Sequence, residues 1–498
     1  MRRCLRGIHM SKLISNYKAI LKLLGIIIFI IGIAMIIPWI YAEATGDISA
    51  AGAFRLCAPL TVVTGGLITF FLKIPKVKFR AREGYIVVAA CWILASVIGS
   101  FPYYLSGFTD TYIDAFFEAT SGFTTTGCTA VASGIMTRSL LLWKAISHWL
   151  GGMGIIIFVI SILPAIGVNG QYIARAESPG PVLEKMTFRL SDSAKILYIT
   201  YLLFTVLEFV LLMLSGKMSA FDSLIHTMGS ISTGGLLVHP TGLAYYDSFY
   251  IEVVISIFCI LGSLNFAMYY YIITGKLSYI IKDVEFRIYM IIMGAAVIIC
   301  TLGLVAATDN SLTDSFRDSF FQVISMSTTA GYTRSPYMVW PTSCQIILIA
   351  LMFIGGCAVS TSGSLKVIRV IIMFKLIWRG CIRRIHPRSV VAVKVGGHAV
   401  SAPVVSGITA FILTFMGLFL LSSFILSFQG MDLETNMTTA LAMLSNTGAA
   451  FGETASAGNF SAYHPLLKLY LSFLMIVGRL ELFTIIILFT KNFWGRDR

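Results

Sequence analysis

The chain has 498 residues, of which 57% are hydrophobic and only 12% charged, and its mean hydropathy is +0.86. A soluble chain carries about twice that share of charge, so the composition excludes an ordinary soluble domain and points to a polytopic membrane protein. The net charge of +14 does not point to nucleic acid, because the basic residues cluster at the ends of apolar segments rather than on one polar domain.

The first apolar run, roughly 23–42, carries no charge. It is long enough to cross a bilayer and too long for a signal-peptide core. The residues before Met10 are basic, and Met10 is an alternative start to Met1. A second run at about 56–72 completes a leading pair. Eight more follow in pairs: about 84–107 and 140–164, 196–215 and 249–275, 288–308 and 342–372, 399–428 and 466–490.

Each of the last four pairs encloses a short motif ending in glycine. The motifs are Thr124-Thr125-Thr126-Gly127, Ser232-Thr233-Gly234-Gly235, Thr328-Thr329-Ala330-Gly331 and Ser445-Asn446-Thr447-Gly448, with glycines about 108, 96 and 117 residues apart. One such motif is an ordinary turn. Four, each between membrane runs, predict four linked copies of helix, re-entrant loop, helix around one pore. A ring of backbone carbonyls can replace the water around a monovalent cation, and glycine permits the backbone conformations that this needs.

The expected fold is therefore an all-α membrane protein of ten transmembrane helices. The N-terminal pair occupies 1–78, and the four pseudo-repeats occupy 79–180, 181–283, 284–393 and 394–498. The candidate ion-coordinating set is Thr125, Thr126, Gly127, Thr233, Gly234, Gly235, Thr329, Ala330, Gly331, Asn446, Thr447 and Gly448.

A shorter amphipathic segment precedes each motif. Thirteen residues before the glycine stand Asp114, Asp222 and Asp318; in the fourth copy Thr435 holds that place, beside Glu434. An acid in the first turn stabilises a short helix by capping it and by complementing its positive end. The opposite, carbonyl-rich end then favours a cation.

Charge placement sets orientation. Lys73, Lys76, Lys78, Arg80 and Arg82 separate the second and third runs, and Arg369, Lys375, Arg379, Arg383, Arg384, Arg388 and Lys394 fall between copies three and four. The amino terminus and the tail (Lys491, Arg496, Arg498) are also basic, whereas the opposite loops carry Asp110, Asp309, Asp432, Glu434 and Glu453. The positive-inside rule puts both termini and the inter-copy loops in the cytoplasm. The motif loops then open outward, with acids that concentrate cations at the mouth.

Other chemistry is weakly represented. The cysteines form no C-x-x-C pair and read as small buried side chains. His148, His226 and His239 lack paired ligands, and glycine-rich stretches such as Gly151-Gly152-Met153-Gly154 lack the pattern of a phosphate loop. No nucleophile elbow or H-E-x-x-H is present. The polar stretches 165–195 and 377–398 do not resemble a nucleotide-binding unit.

Three features inside the runs stand out. The segment from Gly355 to Ser364 is small and polar at membrane depth. It reads either as close helix packing or as non-helical backbone lining water or buried in protein. Arg479 lies in the last run, where an arginine costs a few kcal/mol and is either functional or snorkelling to the interface. Glu208 sits mid-run in the second copy and is expected to bond a pore helix.

Together these segments resemble the TrkH-type subunits of the Trk/Ktr/HKT potassium transporter superfamily. The resemblance rests on Ser121-Gly122-Phe123-Thr124-Thr125-Thr126-Gly127, His148-Trp149-Leu150-Gly151-Gly152-Met153-Gly154, Gly262-Ser263-Leu264-Asn265-Phe266, Gly355-Gly356-Cys357-Ala358, His386-Pro387-Arg388 and Gly478-Arg479-Leu480-Glu481. It covers nearly the whole chain. It implies four filter glycines, a potassium preference where the first is glycine rather than serine, and an intramembrane loop obstructing the pore beneath the filter. The matching arginine, Arg479, projects beside that loop in relatives. The gating set implied here is Gly355, Gly356, Ser360, Thr361, Gly363 and Arg479. The fourth motif departs from the family in having Ala449 after its glycine, where proline is frequent, and the third in having Ala330 where threonine is common.

The resemblance also implies a homodimer in the bacterial cytoplasmic membrane and a cytosolic TrkA-type partner that binds NAD, ATP or ADP. The basic 377–395 loop would dock that partner or anionic lipid. Potassium is then the transported ion, with no organic cofactor in the chain. The rival within transport is a symporter coupling potassium to protons or sodium, which usually needs a titratable residue at the site. An enzyme or receptor scaffold would need a catalytic constellation or a sizeable polar domain.

Overall fold

The computed structural model describes residues 17–72, 81–131, 136–154, 190–273, 275, 277–309, 311–454 and 459–494. The expected span residues 155–164, most of the polar stretch 165–195, and Lys73, Lys76, Lys78 and Arg80 lie outside them. So do Met1, Met10, Arg496 and Arg498.

Helices dominate. A leading hairpin pairs α1 (Tyr17–Thr45) with α2 (Ile48–Phe71). Asp47 caps α2 by accepting from the Ala50 amide at 3.2 Å. Small residues let the two backbones approach: a Cβ on Gly65 would overlap the backbone of Phe29, and one on Gly32 would lie 2.7 Å from the Val62 nitrogen.

Four units of long helix, short helix and second helix follow. They are α3 (Ala81–Leu105), α4 (Tyr112–Phe123) and α5 (Arg138–Gly152); then α6 (Leu190–Leu214), α7 (Ala220–Ile231) and α8 (Phe249–Ser263). Short helices α9 (Ala267–Ile273) and α10 (Leu277–Lys282) lead to α11 (Val284–Ala307), α12 (Leu312–Ser327) and α13 (Thr342–Ile354). Next come α14 (Val367–Ile385), a two-stranded hairpin of β1 (Lys394–Val395) and β2 (His398–Ala399), and α15 (Ala402–Ser427). The fourth unit closes with α16 (Leu433–Ser445), α17 (Pro465–Arg479), α18 (Phe483–Ile486) and the terminal turn α19 (Lys491–Trp494).

Among the described residues six uninterrupted helices are long and apolar enough to cross a membrane: α1, α2, α3, α6, α11 and α15. A seventh is counted if α17 and residues 483–489, bent by 110°, form one span. This corrects the expectation of continuous spans over 249–275 and 466–490: α8 stops at Ser263 and α17 at Arg479, much as α13 stops at Ile354. Glycines near these helix ends pack closely on neighbouring elements. A Cβ on Gly262 would lie 2.7 Å from the Ile231 carbonyl oxygen, and ones on Gly151 and Gly478 would overlap those of Phe123 and Leu444. Each of these carbonyls stands four residues before its own motif glycine, so the second helices of copies one, two and four seat a glycine against the end of their short helix.

The short helices start on matched caps. Thr111, Ser219, Ser311 and Asp432 accept from the amides of Asp114, Asp222, Asp314 and Thr435 at 3.2, 3.1, 3.1 and 3.3 Å. The third case overturns the expectation for Asp318. α12 is 16 residues long against 12 for α4 and α7, so it begins one turn earlier and its first-turn acid is Asp314. Asp318 instead pairs with Arg334. In the fourth copy Asp432 is the cap and Glu434 follows in the first turn.

Candidate functional site

Each motif leaves its short helix in the same way. The residue two before the glycine adopts a left-handed conformation: φ is +56° at Thr125, +53° at Thr233, +59° at Thr329 and +54° at Asn446. The glycines themselves have φ of +80°, +61°, +73° and +71° at Gly127, Gly235, Gly331 and Gly448. The amide before each glycine donates to the carbonyl five residues earlier: Thr126 to Ser121, Gly234 to Gly229, Ala330 to Ser325 and Thr447 to Ala442, at 2.9, 2.7, 2.9 and 3.0 Å. A β-branched threonine in this region is strained by about 1–3 kcal/mol, and three of the four copies hold it there. Asn446 fits more easily, since asparagine tolerates the left-handed region.

The four motifs close on one another. A Cβ on Gly127 would overlap the carbonyl oxygen of Gly234; one on Gly235, that of Ala330; one on Gly331, that of Thr447; and one on Gly448, that of Thr126. Every motif thus presses its glycine on the next, and the fourth returns to the first. Asn446 adds a side-chain link, donating to Thr126 Oγ1 at 3.1 Å and to the Met475 carbonyl at 2.9 Å. Twelve residues scattered over more than 300 positions form one ring, all buried except the partly exposed Gly127 and Gly331.

Side chains behind the ring hold it. Glu208 accepts from Ser230 in α7 at 2.5 Å. Ser121 and Ser325 donate to the carbonyls of Cys128 and Tyr332, both at 2.7 Å. The His148 ring packs where a Cβ of Gly234 would stand, and its Nδ1 meets the Lys144 carbonyl at 2.8 Å. Asp114 pairs with Lys468 at 2.6 Å, and Glu252 pairs with Arg317 and Arg334, both at 2.8 Å. Glu118 forms a buried ion pair with Lys144 at 2.6 Å. Sequence reasoning passed over Glu118, Lys144, Glu252 and Lys468. The available signal was a charge inside an apolar run, as with Lys144 in 140–164.

Residues 355–366 run beneath the motifs as an irregular loop, with left-handed backbone at Gly355, Val359, Ser364 and Lys366. The Gly363 amide donates to Thr329 Oγ1 at 2.9 Å, and a Cβ on Gly363 would overlap the Ser445 carbonyl. Thr361 Oγ1 accepts from Thr233 Oγ1 at 3.3 Å and lies 2.9 Å from the Gly262 carbonyl. The Cys357 amide donates to the Ser263 carbonyl at 2.9 Å, where a Cβ on Gly356 would crowd it. Ser360 and Ser362 share a hydroxyl contact of 2.7 Å, and Lys366 bonds the Ser362 carbonyl. One oxygen of Glu285 accepts from the amides of both Ala358 and Ile368, at 2.9 and 3.0 Å. The loop therefore touches motifs two, three and four.

Arg479 completes the arrangement. It donates to the Thr361 carbonyl at 2.7 Å and to the Gly151 and Gly152 carbonyls at 2.5 and 2.7 Å. Its charge is matched by backbone oxygens at the end of α5 rather than led away to an interface. Arg369 pairs with Glu481 just below. A cavity bordered by Trp92, Met153, Phe266, Ser362, Lys366 and Glu481 opens beside the loop and Arg479. Glu285, Lys366 and the Arg369–Glu481 pair were not anticipated from sequence.

The family model described as TrkH, cation transport protein, matches residues 53–496. The chain is 34% identical over 484 residues to the Trk system potassium uptake protein TrkH of Escherichia coli (strain K12), covering 96% of this chain and 99% of that one. It is 32% identical over 485 residues to the protein of the same name from Halomonas elongata, covering 97% and 100%. The crystal structure of the potassium transporter TrkH from Vibrio parahaemolyticus matches it with a TM-score of 0.86 at 30% identity, over 96% of this chain and 100% of that chain. With its apolar helices and its match along nearly the whole length, the chain belongs to the TrkH family of cation transport proteins, multi-pass membrane proteins that transport ions rather than catalyse reactions.

Proposed function

We propose that this protein takes up potassium ions across the bacterial cytoplasmic membrane through a filter of backbone carbonyls. The observation that carries the reading is the closed ring, in which Gly127, Gly235, Gly331 and Gly448 each abut a carbonyl of the next motif. Alternation of left-handed and ordinary backbone along each motif turns successive carbonyls to one side of the strand. Four such strands supply the cage of neutral oxygens that a dehydrated monovalent cation needs. None of the twelve residues titrates, which favours a channel-like pathway over coupling to protons at the filter. The named activity of the full-length relatives agrees with potassium as the ion.

In this reading the ten apolar runs form a leading pair and four pore-lining repeats, divided near residues 78, 180, 283 and 393. Both termini and the inter-copy loops face the cytoplasm. The 355–366 loop, with Gly355, Gly356, Ser360, Thr361 and Gly363, obstructs the path below the ring. Arg479 holds it there. The protein works as a homodimer, opened by a cytosolic TrkA-type subunit that binds NAD, ATP or ADP.

Uptake of rubidium into liposomes containing the purified protein tests this. Uptake driven by an outward potassium gradient and competed by external potassium supports it. Liposomes that take up no rubidium, with or without the regulatory partner, contradict it.

A further inference from the structure

The ring is held differently in each copy, and in the first a fully buried ion pair reaches the residue directly after the motif glycine. Nine residues before the motif glycine, on the buried face of each short helix, stand Glu118, His226, Gln322 and Thr439. Glu118 is 0% exposed and Lys144 is 3% exposed, and they pair at 2.6 Å. Both reach the strand that leaves the first motif. Lys144 Nζ donates to the carbonyl of Cys128, the residue after Gly127, at 2.8 Å. Glu118 Oε1 accepts from Thr129 Oγ1 at 2.5 Å and from the Ala130 amide at 2.8 Å. Ser121 donates to the same Cys128 carbonyl at 2.7 Å. Three consecutive residues beyond Gly127 are thereby fixed by one ion pair and one hydroxyl.

In copies three and four the residue just after the glycine or a near neighbour is met by neutral groups, and the charged contacts of the third copy come later, at Arg334 with Glu252 and Asp318. The Tyr332 carbonyl of the third copy accepts from Ser325 at 2.7 Å and from Gln322 at 3.4 Å. In the fourth copy the Phe451 amide donates to Thr438 Oγ1 at 3.0 Å. Charge-assisted bonds are stronger and better oriented than neutral ones. A carbonyl bound by an ammonium also has less of its lone-pair density left for a passing ion. The pair is neutral overall, so it fixes the strand without a net field against cations.

We infer that Glu118 and Lys144 are positioning residues for ion selectivity: their pair sets the place of the first filter strand and withdraws the Cys128 carbonyl from the ion path. This inference rests on the filter reading above. It makes the first copy a stiff wall of the ring, against which the other strands pack.

The test compares full-length protein in liposomes or planar bilayers carrying Glu118→Gln, Lys144→Gln, or both. Single variants leave one buried charge unmatched and are expected to lower folded yield. The double variant removes both charges and is expected to remain folded, as read by gel filtration and thermal melting. Its potassium-to-sodium permeability ratio should fall severalfold, because the ammonium–carbonyl bond is gone. A merely structural pair would leave that ratio unchanged. A folded double variant with the unaltered ratio overturns the inference. If the double variant does not fold, the charge-swapped Glu118→Lys with Lys144→Glu replaces it. That variant keeps a neutral pair but puts a donor where Thr129 and Ala130 need an acceptor, and the same fall in ratio is expected. Gly127→Ser serves as a control. If it changes the ratio while the pair variants do not, only this inference fails; if neither changes it, the filter reading fails.

Discussion

The guanidinium of Arg479 donates to the backbone carbonyl of Thr361 at 2.7 Å. The two residues are more than a hundred positions apart, one at the broken end of α17 and the other in the loop beneath the motifs. The same guanidinium grips the final carbonyls of α5, so it ties loop 355–366 to the helix that follows the first motif. In the gating role proposed above, the bond to Thr361 stabilises one loop position and is lost once the loop moves, while the α5 carbonyls hold the guanidinium in place.

Arg479→Ala is therefore expected to raise basal ion flux. Hydrogen bonds to a charged group contribute about 1.5–3 kcal/mol each. If only about 1.4 kcal/mol of this is specific to the closed arrangement, the closed-to-open ratio falls about tenfold. Rubidium flux into liposomes without any regulatory partner measures it. Unchanged or lower flux in a folded variant contradicts that gating role.

Glu285 makes a second test of the same loop. Glu285→Ala leaves the Ala358 and Ile368 amides without their acceptor, at about 1–3 kcal/mol each. Basal flux is expected to rise while ion preference stays the same. Glu285→Gln keeps an oxygen that can accept both bonds and should behave close to the parent. A parent-like Glu285→Ala with a disturbed Glu285→Gln would reverse the argument.

The glycines of the ring predict a shared phenotype. Gly127→Ser places a side chain on the Gly234 carbonyl at a φ of +80°. The potassium-to-sodium permeability ratio should fall. Gly331→Ala, which meets the Thr447 carbonyl, should do likewise although it lies in a different copy. Parallel reversal-potential measurements on the two variants decide the matter. A fall at one position with no effect at the other would show that the strands do not share one site.

Gly151 predicts stability rather than selectivity. Gly151→Ala would drive a Cβ into the Phe123 carbonyl, which is backbone and can yield only by moving α5 from α4. Overpacking of this kind costs about 1–3 kcal/mol. A lowered thermal midpoint of the detergent-solubilised protein is the expected result, and an unchanged midpoint contradicts the packing assigned to the helix breaks.

Much of this architecture is legible in the sequence because it repeats. The threonine or asparagine two before each glycine and the matched acids at 114 and 222 give away the motifs and the short helices. Asp318 misleads because α12 carries an extra turn, which a fixed count back from Gly331 cannot sense. The breaks after Ser263 and Arg479 are hidden for a different reason. Each lies in a run that is apolar enough on average to read as one span, and the close approach of Gly262 and Gly478 to carbonyls of another element is not visible in the local pattern. The Glu118–Lys144 pair joins residues 26 positions apart on two helices. Only the turn between α4 and α5 brings them together, so no local pattern marks them. Glu285 is harder still, because its partners lie 73 and 83 residues away in a loop without a regular period.

The most direct test of the central claim is the reversal potential of current through the purified protein in a planar bilayer, with potassium on one side and sodium on the other. The account predicts a potential that follows the potassium gradient and does not move when a pH difference is imposed. A potential that tracks the sodium or proton gradient instead would contradict a potassium-selective carbonyl ring.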